Sequence, residues 1–169
     1  MGAAGLRAVV GDGDGLEVRH DGGDRATAEG EVKLTDGDRF LVAMTVVLEA
    51  EGEPELGQQA VAWVVRNRMM MWRQDASTVV LARLQFSAWN HDQPRRRALS
   101  KLFAMPAWRE ALAATDAVFS DQTADPSGGA THYLREDATR AGRKNHDLPP
   151  WFKEANVTAR IGHHTFLTA

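Results

Sequence analysis

The chain has 169 residues, enough for one compact domain with a real core and short for two. Its 43% hydrophobic and 25% charged residues exclude disordered, collagenous and coiled-coil classes, and the lack of cysteine excludes disulfides, thiolate metal sites and cysteine nucleophiles. The net charge of −3 conceals an acidic N-terminal third and a basic middle; those bases follow no nucleic-acid motif, so a solvated helical face accounts for them and no nucleic-acid partner is expected.

Residues 1–35 stand apart in composition. Gly and Asp crowd together in GDGDG and DGGD, and the only apolar pattern is short alternation, Leu16 and Val18 with Glu17 and Arg19, then Val32 and Leu34 with Glu31 and Lys33. Two short strands around the turn of Asp21 to Asp24 fit the alternation, whereas the composition fits a flexible leader. The DGDG run lacks the later glutamate of a calcium loop. The start has neither the charged nor the long apolar region of a secretory signal, and no apolar stretch approaches the roughly 18–20 residues of a spanning helix. The expected organisation is an N-terminal arm over 1–35 and a single domain over 36–169.

From residue 36 the pattern turns helical. Thr35, Asp36 and Asp38 offer caps ahead of Phe40, Leu41, Met44, Val47 and Leu48 at helical spacing. Gly52 and Pro54 end that helix, which puts Glu49 in its last turn. A second helix is predicted from about residue 55 to 72, with Trp63 in its core-facing middle, and a short one through Leu81 capped by Ser77. Residues 85–90 read as extended or irregular. Pro106 suits the first turn of a helix running to Phe119. Asp125-Pro-Ser-Gly-Gly is a turn, with Gly128 and Gly129 allowing close backbone approach. Residues 130–134 and 161–167 are rich in β-branched and aromatic side chains and predict a small sheet, separated by a polar loop ending at Pro149-Pro-Trp151. The fold class is α+β and mainly helical.

The chemistry centres on Glu49-Ala-Glu-Gly-Glu-Pro-Glu. Four acids at a helix end are most often surface charges. Glu49, however, follows Thr45-Val-Val-Leu on a helix with little polar surface, and a carboxyl held against apolar walls beside Glu51 and Glu53 is expected to keep its proton near neutral pH. A glutamic acid in that state suits general acid catalysis at a glycosidic bond. Six histidines invite a metal site, and His132, His163 and His164 are the candidates. HExxH is absent, though, and two adjacent histidines on a strand do not both face one ion, so no metal or other cofactor is expected. A Ser-His-Asp arrangement lacks a GxSxG elbow to carry it.

The Glu49 segment, followed by Gly57-Gln-Gln-Ala-Val-Ala-Trp-Val-Val-Arg-Asn-Arg, resembles the SleB-type cell wall hydrolase family, the spore-cortex-lytic enzymes and related phage lysins. Gln85-Phe-Ser-Ala-Trp, Asp125-Pro-Ser-Gly-Gly-Ala-Thr-His-Tyr, Pro150-Trp151 and Ile161-Gly-His-His-Thr-Phe follow in the family's order, so the resemblance spans about residues 38–167. It implies a lysozyme-like domain acting on the bond between N-acetylmuramic acid and N-acetylglucosamine of peptidoglycan. It further implies a lytic transglycosylase in which Glu49 is first acid and then base, giving a 1,6-anhydro product with no second catalytic carboxylate.

By the same resemblance Glu53 has a wall or positioning role. Gln85, Phe86 and Trp89 form a sugar platform, although packing in the core is the plainer role for at least one of the two aromatics. Gly129, Thr131, His132 and Tyr133 line the cleft, with Tyr133, the single tyrosine, the stronger sugar contact; alternation sets Thr131 and Tyr133 on one face and His132 on the other. Asn67 and Arg68 read as structural. The chain departs from the family at Val47-Leu48, where a Tyr-Gly pair is usual, and at Glu51, where an arginine is usual. An anion at 51 favours the acid step of Glu49 and hinders its return as base. The alternatives within this reading are a hydrolytic muramidase and a virion or tail component that grips peptidoglycan with little activity. With no secretory signal recognised, expected settings are a phage, prophage or gene-transfer particle. Release would be through a holin-type pore, or residues 1–35 would tether the domain to tail or baseplate proteins.

Overall fold

In the computed structural model the described residues are 32–83, 85–89 and 103–168. Nearly all of the N-terminal arm, with its two possible strands and its tether role, lies outside them. Val32 and Leu34 do not form a strand; their side chains pack against the core, which extends the compact unit back to residue 32.

The first helix, α1 (Asp36–Ala50), starts on a capping box: the Thr35 side chain accepts the Asp38 N–H at 3.1 Å and the Asp38 carboxylate accepts the Thr35 N–H at 3.3 Å. Every residue from Val42 to Leu48 is buried, so this helix is walled on all sides. The Glu51 N–H closes it on the Val47 carbonyl, and Gly52 at φ 84° turns the chain toward Pro54. Pro54 then caps α2 (Glu55–Trp72), buried from Gly57 to Met69. The short α3 (Ala76–Leu81) is capped by Asp75, whose carboxylate accepts the Thr78 N–H at 2.7 Å. Ser77, the expected cap, lies inside the first turn and donates its hydroxyl to the same carboxylate. A 3₁₀ turn covers Ser87–Trp89, and α4 (Pro106–Phe119) has its proline in the first turn. Helices α1, α2 and α4 pack against one another around Val42, Val46, Val61, Val64, Val65 and Val118.

A three-stranded antiparallel sheet completes the domain: β1 (His132–Leu134), β2 (Val157–Ile161) and β3 (His164–Leu167), in the order β1-β3-β2. The predicted single run over 161–167 is instead broken at Gly162-His163, where Gly162 takes φ 57° and turns the chain back on itself. Its N-terminal partner, β2, went unpredicted because Val-Thr-Ala-Arg is weakly patterned. The central strand β3 is buried along its whole length, flanked by a partner strand on each side. A short helix α5 (Glu136–Ala141) occupies part of the segment read as loop.

Three consecutive residues near the end of α2 tie the helices to the sheet. Arg66 donates to the Val118 carbonyl at 2.7 Å and meets the Asp121 carboxylate at 2.6 Å. Asn67 donates to Asp125 and to the Ala130 carbonyl, and Arg68 donates through Nε to the Thr131 carbonyl at 2.6 Å. Asp125 organises the turn before β1, accepting from the Ser127 N–H and hydroxyl, the Gly129 N–H and Asn67. Asp125→Ala removes four bonds to one charged acceptor and leaves Asn67 short of a partner. It is expected to cost about 2–4 kcal/mol, measured as a lower urea midpoint with an unchanged slope.

Candidate active site

A cleft of about 700 Å³ opens between the helices and the sheet, with Glu49 in its wall. Because Glu49 ends α1, its side chain leaves the apolar interior and is half-buried rather than enclosed. Its carboxylate is held from two sides. Oε1 accepts the Ala88 N–H at 2.7 Å and the Ser87 hydroxyl at 2.9 Å, and Oε2 accepts the Tyr133 hydroxyl at 3.2 Å. The expected apolar wall is therefore corrected: α1 carries Glu49 on an apolar helix, but the carboxylate itself meets three donors.

Each donor is fixed in turn. The Trp89 indole donates to the Thr45 hydroxyl at 2.9 Å, pinning the 3₁₀ turn to α1 one turn before Glu49. Phe86, almost fully buried, anchors the same turn from below. Tyr133 lies between Phe86 at 6.5 Å, Phe166 at 5.8 Å and His164 edge-on at 5.0 Å between ring centres. Burial first, and then the Glu49 carboxylate, push the Tyr133 phenol well above its usual range against the opposing charge of Arg68, so Tyr133 stays a donor.

Glu53 is buried, and its carboxylate is taken up by the turn between β2 and β3. Its carboxylate accepts the His163 N–H at 2.9 Å and the His163 Nδ1–H at 3.0 Å, so it caps the β2–β3 turn. Burial alone would raise its proton affinity. The two His163 bonds, with the two imidazoles beside the carboxylate, outweigh that, so Glu53 is held below the usual carboxyl range. His164 Nδ1 lies 3.9 Å from the same carboxylate without a hydrogen-bond partner. Burial, with Arg135 and His163, outweighs the pull of Glu53 and Glu49 and lowers His164, which keeps it neutral.

Of the expected sugar contacts, Gln85, His132 and Tyr133 line the cleft with Glu49 and Glu53. His132 does so although alternation set it opposite Tyr133: β1 is a three-residue edge strand, and the His132 ring lies 5.6 Å from the half-exposed Trp151. Burial and then Arg68 lower its proton affinity. Phe86 is in the core and Trp89 packs against it, so both build the wall from behind. Thr131 is buried, its hydroxyl 3.0 Å from His132 Nδ1, and Gly129, at φ 80°, is spent on the Asp125 turn. Ser87, Ala88, Arg135, Thr139 and Trp151 were given no role by the sequence reading yet line the cleft. Ser87 and Trp151 lay within the motifs; no residue type signals that the Ala88 N–H is a donor.

The domain is a helical core with a small sheet, and the Glu49 carboxylate, carried at the end of α1, borders the cleft between them. The cell wall hydrolase family model matches residues 52–167, and the chain belongs to that family; the match begins just after Glu49 and includes Glu53. A spore cortex-lytic enzyme of Halalkalibacterium halodurans is 33% identical over 134 residues, 78% of this chain. The chain spans 35% of that relative's length. Two solved structures share the fold. The catalytic domain of the germination-specific lytic transglycosylase SleB of Bacillus anthracis has a TM-score of 0.58 at 23% identity, covering 84% of this chain and all of that one. The catalytic domain of Bacillus cereus SleB has a TM-score of 0.57 at 26% identity, covering 87% and all of that chain.

The Glu53 contact makes stability pH-dependent with a definite sign. A carboxyl whose folded value is depressed contributes stability that is complete above its ordinary value of 4.5 and is lost as the pH falls through the lower, folded value. Glu53→Gln is expected to be about 1–3 kcal/mol less stable than the parent at neutral pH, with the gap closing below about pH 4. Melting temperatures of both proteins across that range measure it; a constant gap contradicts the assignment.

Proposed function

We propose that the domain cleaves the glycan strand of peptidoglycan between N-acetylmuramic acid and N-acetylglucosamine as a lytic transglycosylase, with Glu49 as acid and base. The observation that carries this reading is the Glu49 carboxylate fixed at the cleft by Ser87, Ala88 and Tyr133. In the first step protonated Glu49 gives its proton to the glycosidic oxygen as the bond to C1 of muramic acid breaks. The three donors then stabilise the carboxylate left behind. In the second step that carboxylate takes the proton of the muramic acid C6 hydroxyl, whose oxygen bonds to C1 and closes the 1,6-anhydro ring.

No water is consumed and no second carboxylate is required. Support for a one-carboxylate scheme comes from Glu53, whose carboxylate is buried and engaged by His163 and so is poorly placed to activate water. Gln85 and Trp151, on the cleft wall, supply an amide and an aromatic face suited to pyranose rings.

Glu49→Gln is expected to lower release of soluble fragments from purified peptidoglycan at least a hundredfold, the low end of general acid–base contributions. Mass analysis of the fragments then decides the chemistry. Anhydro-muramic ends support the reading, reducing muramic ends make the enzyme a muramidase, and no release by the parent chain makes the domain a peptidoglycan-binding component.

A further inference from the structure

Arg68 is placed where a purely structural residue would be wasteful. Its side chain is buried on α2, its guanidinium carbon lying 4.8 Å over the Phe86 ring and 5.4 Å over Trp72. Among the described residues its tie to the chain is made by Nε alone, to the Thr131 carbonyl. NH1 is buried with no hydrogen-bond partner among the described residues. Arg66, two residues earlier and as deeply buried, also has an unpartnered nitrogen, Nε, but differs in having a counter-ion, the Asp121 carboxylate at 2.6 Å. Among the described residues no carboxylate lies within ion-pair distance of Arg68. A buried cation without a counter-ion is costly, so such a group calls for a reason.

The reason is what lies in front of it. Arg68 borders the same cleft as Glu49, and Phe86, on which it stacks, packs against the Tyr133 ring whose hydroxyl holds Glu49. We propose that Arg68 is a positioning residue for proton transfer, a fixed internal cation that stabilises the negative charge Glu49 acquires when its proton leaves. Burial lowers the Arg68 guanidinium from its ordinary value, and the nearby Glu49 site opposes that by favouring the charged form. The other charged or titratable groups around Glu49 are Tyr133 and His132 on β1, His164 on β3, Glu51 and Glu53 after α1, and Arg135 beside β1. His164 is neutral and Arg135 is half-exposed and paired with Asp137, which leaves Arg68 as the unscreened cation among them.

The inference rests on the reading of Glu49 as proton donor, and the experiment separates the two. Arg68→Met keeps the packing on Phe86 and removes the charge; Arg68→Lys keeps the charge and alters the Nε bond. Kinetics of the full chain are measured on soluble peptidoglycan fragments across pH, with Glu49→Gln alongside and melting curves for each variant. Arg68→Met is expected to lose at least about tenfold in kcat with KM within about threefold, less than the loss of a direct donor because it acts from behind. The basic limb of its kcat/KM profile should move to higher pH, since removing a cation lets Glu49 keep its proton longer. Arg68→Lys should retain kcat within tenfold and leave the limb in place. An unmoved limb in a folded Arg68→Met protein overturns the inference, as does a tenfold or greater loss in Arg68→Lys; the Lys variant decides alone if the Met variant does not fold. If Glu49→Gln remains active, the reading of Glu49 fails instead.

Discussion

The carboxylate of Glu53 joins the two halves of the cleft. It belongs to the link between α1 and α2, yet both of its oxygens are used on the turn between β2 and β3. The contact is close enough to dictate neighbours. A Cβ on Gly162 would lie 1.8 Å from the Glu53 carboxylate, and one on Gly57 would lie 3.2 Å from the Glu53 Cβ. Gly162 also needs its positive φ for the turn, so two independent demands fall on one residue. The sheet is thereby held at a fixed distance from the end of α1. That distance lets Tyr133 reach Glu49 through β1, the strand paired with β3.

A second set of ties works from α2. Arg66, Asn67 and Arg68 point in successive directions around one helical turn and so reach three separate stretches: the end of α4, the Asp125 turn and the entry to β1. Helix α2 can carry these three polar residues side by side in its buried part because each finds at least one backbone carbonyl. Stability and site geometry are linked in consequence. The bonds that close the fold at Ala130 and Thr131 are the same ones that deliver His132 and Tyr133 to the cleft.

The helices were legible because their signals are local: the Thr35 capping box, Gly52 with Pro54, and the proline at 106 each fix a boundary without distant partners. The sheet was only half legible. Residues 161–167 look like one strand by composition, and the break at Gly162 comes from the positive φ of the turn and the approach of Glu53, 109 positions earlier in the chain. Of the site, Glu49 could be singled out from its place on an apolar helix and the motif around it, but the nature of its surroundings could not. Apolar neighbours in sequence do not describe where a side chain at the last helical turn points, and the donors come from residues 87, 88 and 133. Phe86 and Trp89 illustrate the converse error, since aromatics in a motif suggest sugar faces and here serve to brace the turn that carries Ser87 and Ala88.

Three glutamates within five positions end up in three electrostatic settings, and their differences follow from backbone geometry. Glu49 is still helical, so its side chain projects from the side of α1 to donors on two other elements. Glu51 has left the helix as its C-cap and is exposed, where solvent screens most of its charge. Glu53, turned by Gly52 and fixed before Pro54, points inward to the hairpin, where hydrogen bonds stabilise its charge. Residue type alone would make the segment a single cluster of repelling acids. The turn separates them into a group on the cleft wall, a group in water and a group built into the frame and held ionised there.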